Sequence, residues 1–168
     1  MNDTDFFDTE KNKVVGGTLY LVTTPIGNMS DITYRAVKVL SEVDFVAAED
    51  TRNTGLLLSC YEISKPMISY FEHNKRERGE IIAARLEAGE SCALVTDAGT
   101  PAISDPGEDL VRLCAERNIP VTSLPGACAA VTALTLSGLF TGRFAFEGFL
   151  TVNKKNRIQR LEEVKNDI

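Results

Sequence analysis

The sequence is poor in the residues that common catalytic and metal-binding signatures are built from. It holds one histidine, His73, and four cysteines (Cys60, Cys92, Cys114 and Cys128) with no CxxC pair. A structural zinc site is therefore not expected, and no metal is assigned. With a single histidine and no GxSxG, a Ser-His-Asp hydrolase finds no support. There is no GxGxxG and no GKS/T phosphate loop, so nothing specifies NAD, ATP or GTP. No apolar run approaches the roughly 20 residues a membrane span needs. Residues 1–13 are polar and acidic, which excludes a secretory h-region. The cysteines stand among small or apolar neighbours, the pattern of reduced, buried thiols in a cytoplasmic protein.

Positive charge is also in short supply. The formal net charge is −6, which weighs against a surface that grips nucleic acid all round. It leaves room for a local basic patch, since part of the acidity sits at Asp3, Asp5, Asp8 and Glu10. At 43% hydrophobic and 25% charged residues, the 168-residue chain has the balance of a globular protein with a sizeable core.

Strand and helix signals alternate along the chain. Short β-rich runs at 18–23, 44–48, 66–70, 91–96 and 120–124 predict five strands. Helices are predicted from Asp31, as N-cap, to Leu40, then over 55–60, 76–88, 107–117 and 127–137. Ile81, Ile82 and Leu86 should face inward, and Gly89 should stop its helix. A sixth strand is expected at 143–150 and a charged helix at 153–168. This alternation predicts an α/β fold, a mostly parallel open sheet with helices on both faces. The expected organisation is a disordered leader over 1–16, an α/β domain over 17–140, and the beginning of a truncated second domain over 141–168. Ligands of such folds bind outside the carboxyl ends of the strands.

The loops at those ends carry the polar and glycine-rich residues. After the fourth strand comes Asp97-Ala98-Gly99-Thr100-Pro101-Ala102-Ile103-Ser104-Asp105-Pro106-Gly107. Glycine permits close approach, two prolines stiffen the path, and short polar side chains line it. The plain alternative is a βα turn with Asp105 capping a helix that starts at Pro106. Thr24-Pro25-Ile26-Gly27-Asn28 leaves the first strand, as a ligand loop or a tight turn. Leu124-Pro125-Gly126-Ala127-Cys128-Ala129-Ala130 opens a helix with small residues, which suit either a flat ligand or close helix–sheet packing. Glu49-Asp50-Thr51-Arg52 ends the second strand, as an ion-paired loop or a substrate contact. His73 stands in a polar loop beside Lys75, Arg76 and Arg78, a cluster that suits RNA phosphates or simple solvation, as does the Lys154, Lys155, Arg157, Arg160 group.

Five blocks in fixed order, TLYLVTTPIGNMSDIT, AAEDTR, VTDAGTPAISDPG, LPGACAAVTAL and FEGFL, resemble the ribosomal RNA small-subunit methyltransferase I family, within the tetrapyrrole methylase superfamily. The resemblance covers about residues 17–160. It implies a two-domain α/β methylase that binds S-adenosylmethionine in the cleft between domains, acts as a homodimer, and methylates the ribose 2′-hydroxyl of a cytidine in small-subunit rRNA. Carried over by motif, Pro25, Ala98, Gly99, Thr100, Ile103, Cys128 and Ala129 would contact the cofactor. Porphyrinoid methylases read more like GGDP where this chain has AGTP, which favours the RNA branch. Asn28, Glu49, Asp50 and Arg52 are candidates for substrate positioning, and Asp97, Asp50 and His73 for the general base. Two other readings remain open: a tetrapyrrole or other small-molecule methyltransferase, and a non-catalytic dimerisation fragment. Family members continue into a second domain, so this stretch alone is expected to bind cofactor weakly or not at all and to be inactive by itself.

Overall fold

The computed structural model describes residues 13–165, so most of the expected leader lies outside the described residues. Of that leader, Val14 packs on the core and the Val15 amide donates to Tyr20 Oη at 2.8 Å. The described residues form two compact units that divide between Thr132 and Ala133.

In the first unit, five parallel strands are β1 (Leu19–Val22), β2 (Phe45–Ala48), β3 (Met67–Ser69), β4 (Cys92–Val95) and β5 (Val121–Leu124). They lie in the order β3-β2-β4-β1-β5. The unit's helices are α1 (Tyr34–Glu42), α2 (Thr51–Cys60), α3 (Lys75–Glu87) and α4 (Glu108–Glu116), and α5 (Ala129–Leu136) spans the boundary between the two units. The α/β sheet expected from the alternation is the one observed.

β1, β2 and β4 are buried on both faces, which is why they read as continuous apolar runs. Their side chains alternate between two cores. Leu19, Leu21, Phe45, Ala47, Cys92 and Leu94 meet Ile82, Leu86, Leu110 and Cys114 of α3 and α4. Tyr20, Val22, Val46, Ala48, Ala93 and Val95 meet Ala36, Val39, Leu40 and Leu58 of α1 and α2. α1 therefore carries the chain from β1 towards β2 across one face, while α4 carries it from β4 to β5 across the other. β1 and β4 are neighbours whose exits diverge. That is a topological switch point, where a crevice opens at the carboxyl edge of the sheet.

Several boundaries differ from those expected. Thr33, not Asp31, caps α1: its Oγ1 accepts from the Ala36 amide at 3.1 Å. Asp31 is absorbed into a 3-10 turn (Met29–Asp31) capped by Asn28. α2 starts at Thr51, so Asp50 is its N-cap. On α3, Gly79, Ile82, Ala83 and Leu86 are buried while Ile81 is exposed. The buried stripe runs through Gly79, Ile82, Ala83 and Leu86, at helical spacing, and Ile81 lies just outside it. Gly89 follows α3 at φ +96, as expected of a helix stop. Asp105 does not cap α4; Gly107 stands there at φ +142. Cys92 and Cys114 are buried, Cys128 is half-buried, and Cys60, on the last turn of α2, is exposed.

The second unit carries α6 (Lys154–Val164), capped by Asn153. Residues 143–150 form no strand: among the described residues none offers them a ladder of hydrogen bonds.

Candidate functional site

Three loops leave β1, β4 and β5 and are stitched together at the switch point. Thr24 and Gly99 form an isolated bridge: the Thr24 amide donates to Gly99 O at 2.9 Å, and the Gly99 amide to Thr24 O at 3.1 Å. Thr23 ties in the third loop. Its hydroxyl donates to Leu124 O at 2.9 Å and lies 3.3 Å from Thr100 Oγ1, which donates to Ala127 O at 3.4 Å. Gly126 packs on Thr23 so closely that a Cβ there would stand 2.7 Å from Thr23 Cβ.

The β4 loop holds an unusual backbone. Gly99, Ala102, Ser104 and Gly107 all have positive φ, at +85, +69, +60 and +142. For Ala102 and Ser104 that conformation costs on the order of 1 kcal/mol each, and such strain gathers at functional sites. The path leaves Asp97, Ala98, Ile103 and Ser104 exposed on a loop pinned at Gly99 and Thr100.

The predicted cofactor residues thus come together. Pro25 is buried beside the Thr24–Gly99 bridge, Gly99 and Thr100 are the stitches, and Ala98 and Ile103 line the exposed rim. Cys128 and Ala129 follow Ala127 at the start of α5. Thr23 is not among the predicted site residues, and Gly126 enters the prediction only as part of the small-residue segment after β5. A threonine ending a β-rich run reads as strand propensity, and its cross-loop bonds are visible only in three dimensions.

The predicted substrate residues lie beside these loops. Glu49 Oε2 accepts from the Asp97 amide at 3.4 Å. Burial pushes the Glu49 carboxyl up, with the charges of Asp97, Asp105 and Asp50 adding to the effect. Burial likewise raises Asp105, and the Asp97 charge adds to it. Asp50 is held down at about 2 by its hydrogen bonds with Arg52. Its Oδ1 caps the Arg52 amide at 2.8 Å, and its Oδ2 accepts from Arg52 Nη2 at 2.5 Å. Asn28 Oδ1 accepts from the Ser30 amide at 3.1 Å. His73 is not with them: it stands on the loop after β3, at the sheet edge, its ring 6.1 Å from that of Phe71.

A cavity of about 250 Å³ opens between the 3-10 turn, α2 and the β1 and β4 exits. Pro25, Met29, Leu56 and Leu57 give it apolar walls, and Asn53, Thr54, Thr96 and Asp97 polar ones. A larger cleft of about 360 Å³ lies between α3 and α4. Its Lys75 and Arg112 are paired to Asp109, and its Glu80 to Arg117, so its charges are largely spent. The smaller cavity, at the switch point, is the better candidate site. Among the described residues no cluster of potential metal ligands is present, and no helix is long and apolar enough to cross a membrane.

Residues 18–167 match the family model described as Tetrapyrrole (Corrin/Porphyrin) Methylases. The chain is 52% identical over 151 residues to a protein of Haemophilus influenzae named ribosomal RNA small subunit methyltransferase I, covering 90% of this chain and 53% of that protein. A protein of the same name from Synechocystis is 53% identical, covering 90% and 54%. The chain thus spans about half the length of the curated relatives it matches. Among solved structures, a uroporphyrin-III-C-methyltransferase from Thermus thermophilus superposes with a TM-score of 0.56 at 23% identity, over 73% of this chain and 52% of that one. A cobalt precorrin-4 methyltransferase of cobalamin biosynthesis gives 0.57 at 18%, over 72% and 50%. At these identities the likeness shows the fold alone.

Proposed function

The chain belongs to the tetrapyrrole methylase family, and from that we propose that it supplies the methyl-donor loops of an S-adenosylmethionine-dependent methyltransferase whose substrate is small-subunit ribosomal RNA. The observation that carries this reading is the stitched, strained loop set at the switch point, together with half-identity to proteins named for that RNA. The activity proposed is that of a protein of the relatives' full length. Residues 17–140 would be its first domain and 141–168 the opening of its second. A homodimer and a cytoplasmic location complete the proposal.

The residues present fit the donor. Exposed Ala98 and Ile103, with Ala129, offer small and apolar surface for an adenine or a thioether chain. Asp97, Glu49 and Asp105 place carboxylates around the crevice, which suits a sulfonium cation. Pro25, Ala98, Gly99, Thr100, Ile103, Cys128 and Ala129 would hold it. When bound, S-adenosylmethionine supplies an activated methyl on a good leaving group.

The protein's task is then mainly to position the acceptor and take its proton. The 250 Å³ cavity, whose lining includes Met29, Asn53 and Asp97, would take the acceptor nucleoside; Asn28 and Arg52 precede two of these residues in the chain, and Glu49 is bonded to the third. Among the base candidates, Asp50 is committed to Arg52 and to capping α2, and His73 lies two strands away from β4. Asp97 stands at the cavity, and Glu49, whose proton affinity is raised by burial, is bonded to its amide. We assign proton acceptance to this pair and the target to a cytidine 2′-hydroxyl.

The test is transfer of labelled methyl from S-adenosylmethionine to small subunits by the protein at its relatives' full length. The product should be a cytidine whose 3′ linkage resists alkaline cleavage, as a blocked 2′-oxygen requires. Label on a porphyrinoid and none on RNA would replace this reading with the small-molecule one.

A further inference from the structure

The loop between β3 and α3 has no place in the methyl-transfer chemistry, yet it is built with care. Asn74 Oδ1 accepts from the Phe71 amide at 2.8 Å, its Nδ2 donates to Ser69 O at 3.1 Å, and its own amide donates to Phe71 O at 3.0 Å. Three bonds from one residue fix the loop. What the loop displays is two aromatic rings: Phe71 and His73 are both exposed and meet edge to face, with planes at 85°. Such a pair engages one face of one ring and an edge of the other. Phe71 is 36% exposed, so part of its ring meets solvent.

The charge beside the rings points to the partner. Glu72 is paired to Lys75 at 2.7 Å, which locally neutralises the acid nearest the rings. Arg76, one residue on, is exposed and forms no ion pair among the described residues. Exposed aromatic rings, followed three residues on by a guanidinium that lines the α3–α4 cleft without an ion pair among the described residues, are the chemistry that receives an unstacked base and its phosphate. The position agrees. β3 is the edge strand, and its carboxyl end lies on the same sheet edge as the cavity, two strands from β4. At about 4.8 Å per strand that is roughly 10 Å, the reach of a nucleotide or two along a chain.

We propose that Phe71 and His73 form a stacking platform for an unpaired RNA base flanking the methylated nucleotide, with Arg76 on the adjoining phosphate. The proposal rests on the reading that the substrate is RNA, and it adds a contact outside the methyl-transfer site.

The test is fluorescence anisotropy of this chain with a fluorescein-labelled single-stranded RNA of about 12 nucleotides, against a duplex of the same sequence. The single strand should bind better than the duplex, whose bases are already stacked. Phe71→Leu and His73→Ala should each weaken single-strand binding about tenfold, while Phe71→Tyr, which keeps the ring, should restore it. Arg76→Ala should lower the salt dependence by about one counterion. Irradiating an iodouridine-substituted strand should crosslink it to this loop, a signal that a purely structural role would not give. Equal binding by wild type, Phe71→Leu and His73→Ala would overturn the platform and leave the methyltransferase reading standing. Absence of any RNA binding by wild type would overturn it too, while methyl transfer by the protein at its relatives' full length would still test the methyl-transfer reading independently.

Discussion

At the scale of single residues, the site depends on close approaches more than on charged groups. Gly126 sits where a Cβ would collide with Thr23. Gly126→Ala should destabilise the domain by about 1–3 kcal/mol in urea unfolding, as an overpacked contact does. Thr23→Val keeps the shape but leaves Leu124 O without that donor, and should cost about 1 kcal/mol. Glu49 allows a test by pH. Its pKa is raised in the folded state, so its favourable contribution is present below the unfolded value and is lost as pH rises through the folded one. Glu49→Gln should therefore melt higher than wild type near neutral pH, and the gap should close below about pH 4. A gap that is the same at both pH values would remove burial as the cause. The sequence identified the loops around these residues from their Gly and Pro content. It did not identify Thr23, because a hydroxyl that bridges three loops leaves no local pattern.

At the scale of elements, capping chemistry separates structural roles from functional ones. Asp50 was legible as a polar residue at a strand end, and the structure makes it the N-cap of α2. Asp50→Ala should lower stability by about 1 kcal/mol, while Asp50→Asn keeps the cap and should lose little. If Asp50→Asn nevertheless abolishes methyl transfer at unchanged melting temperature, its carboxylate serves the substrate as well. Helix α3 shows the limit of periodicity: Ile81 and Ile82 are equally apolar, and only packing against the sheet decided which one is buried. Residues 143–150 show another limit. Their β-rich composition predicts a strand, but a strand exists only where a neighbour completes its hydrogen bonds.

At the scale of the whole molecule, the second unit leaves a good deal of apolar surface uncovered. Leu136, Leu139, Phe140, Phe144, Phe149 and Val152 are between 62% and 95% exposed. Large apolar side chains exposed in this number within a short stretch favour association. Sedimentation of the chain over rising concentration should show self-association, and Phe140→Ser with Phe149→Ser should suppress it. Calorimetric titration of S-adenosylmethionine into this chain is expected to show weak or no binding. Micromolar affinity would mean that the β1, β4 and β5 loops suffice as a pocket. The sequence by itself determined the alternation of strands and helices, the buried parallel sheet and the loops that carry chemistry, because hydrophobic period and turn residues act locally. Tertiary structure alone decided the strand order β3-β2-β4-β1-β5. That order brings loops from β1, β4 and β5 into contact, parts Glu49 from His73, and sets the strained segment after β4 at the switch point. Those relations join residues far apart in the chain, and only the crossing of helices over opposite faces of the sheet sets them.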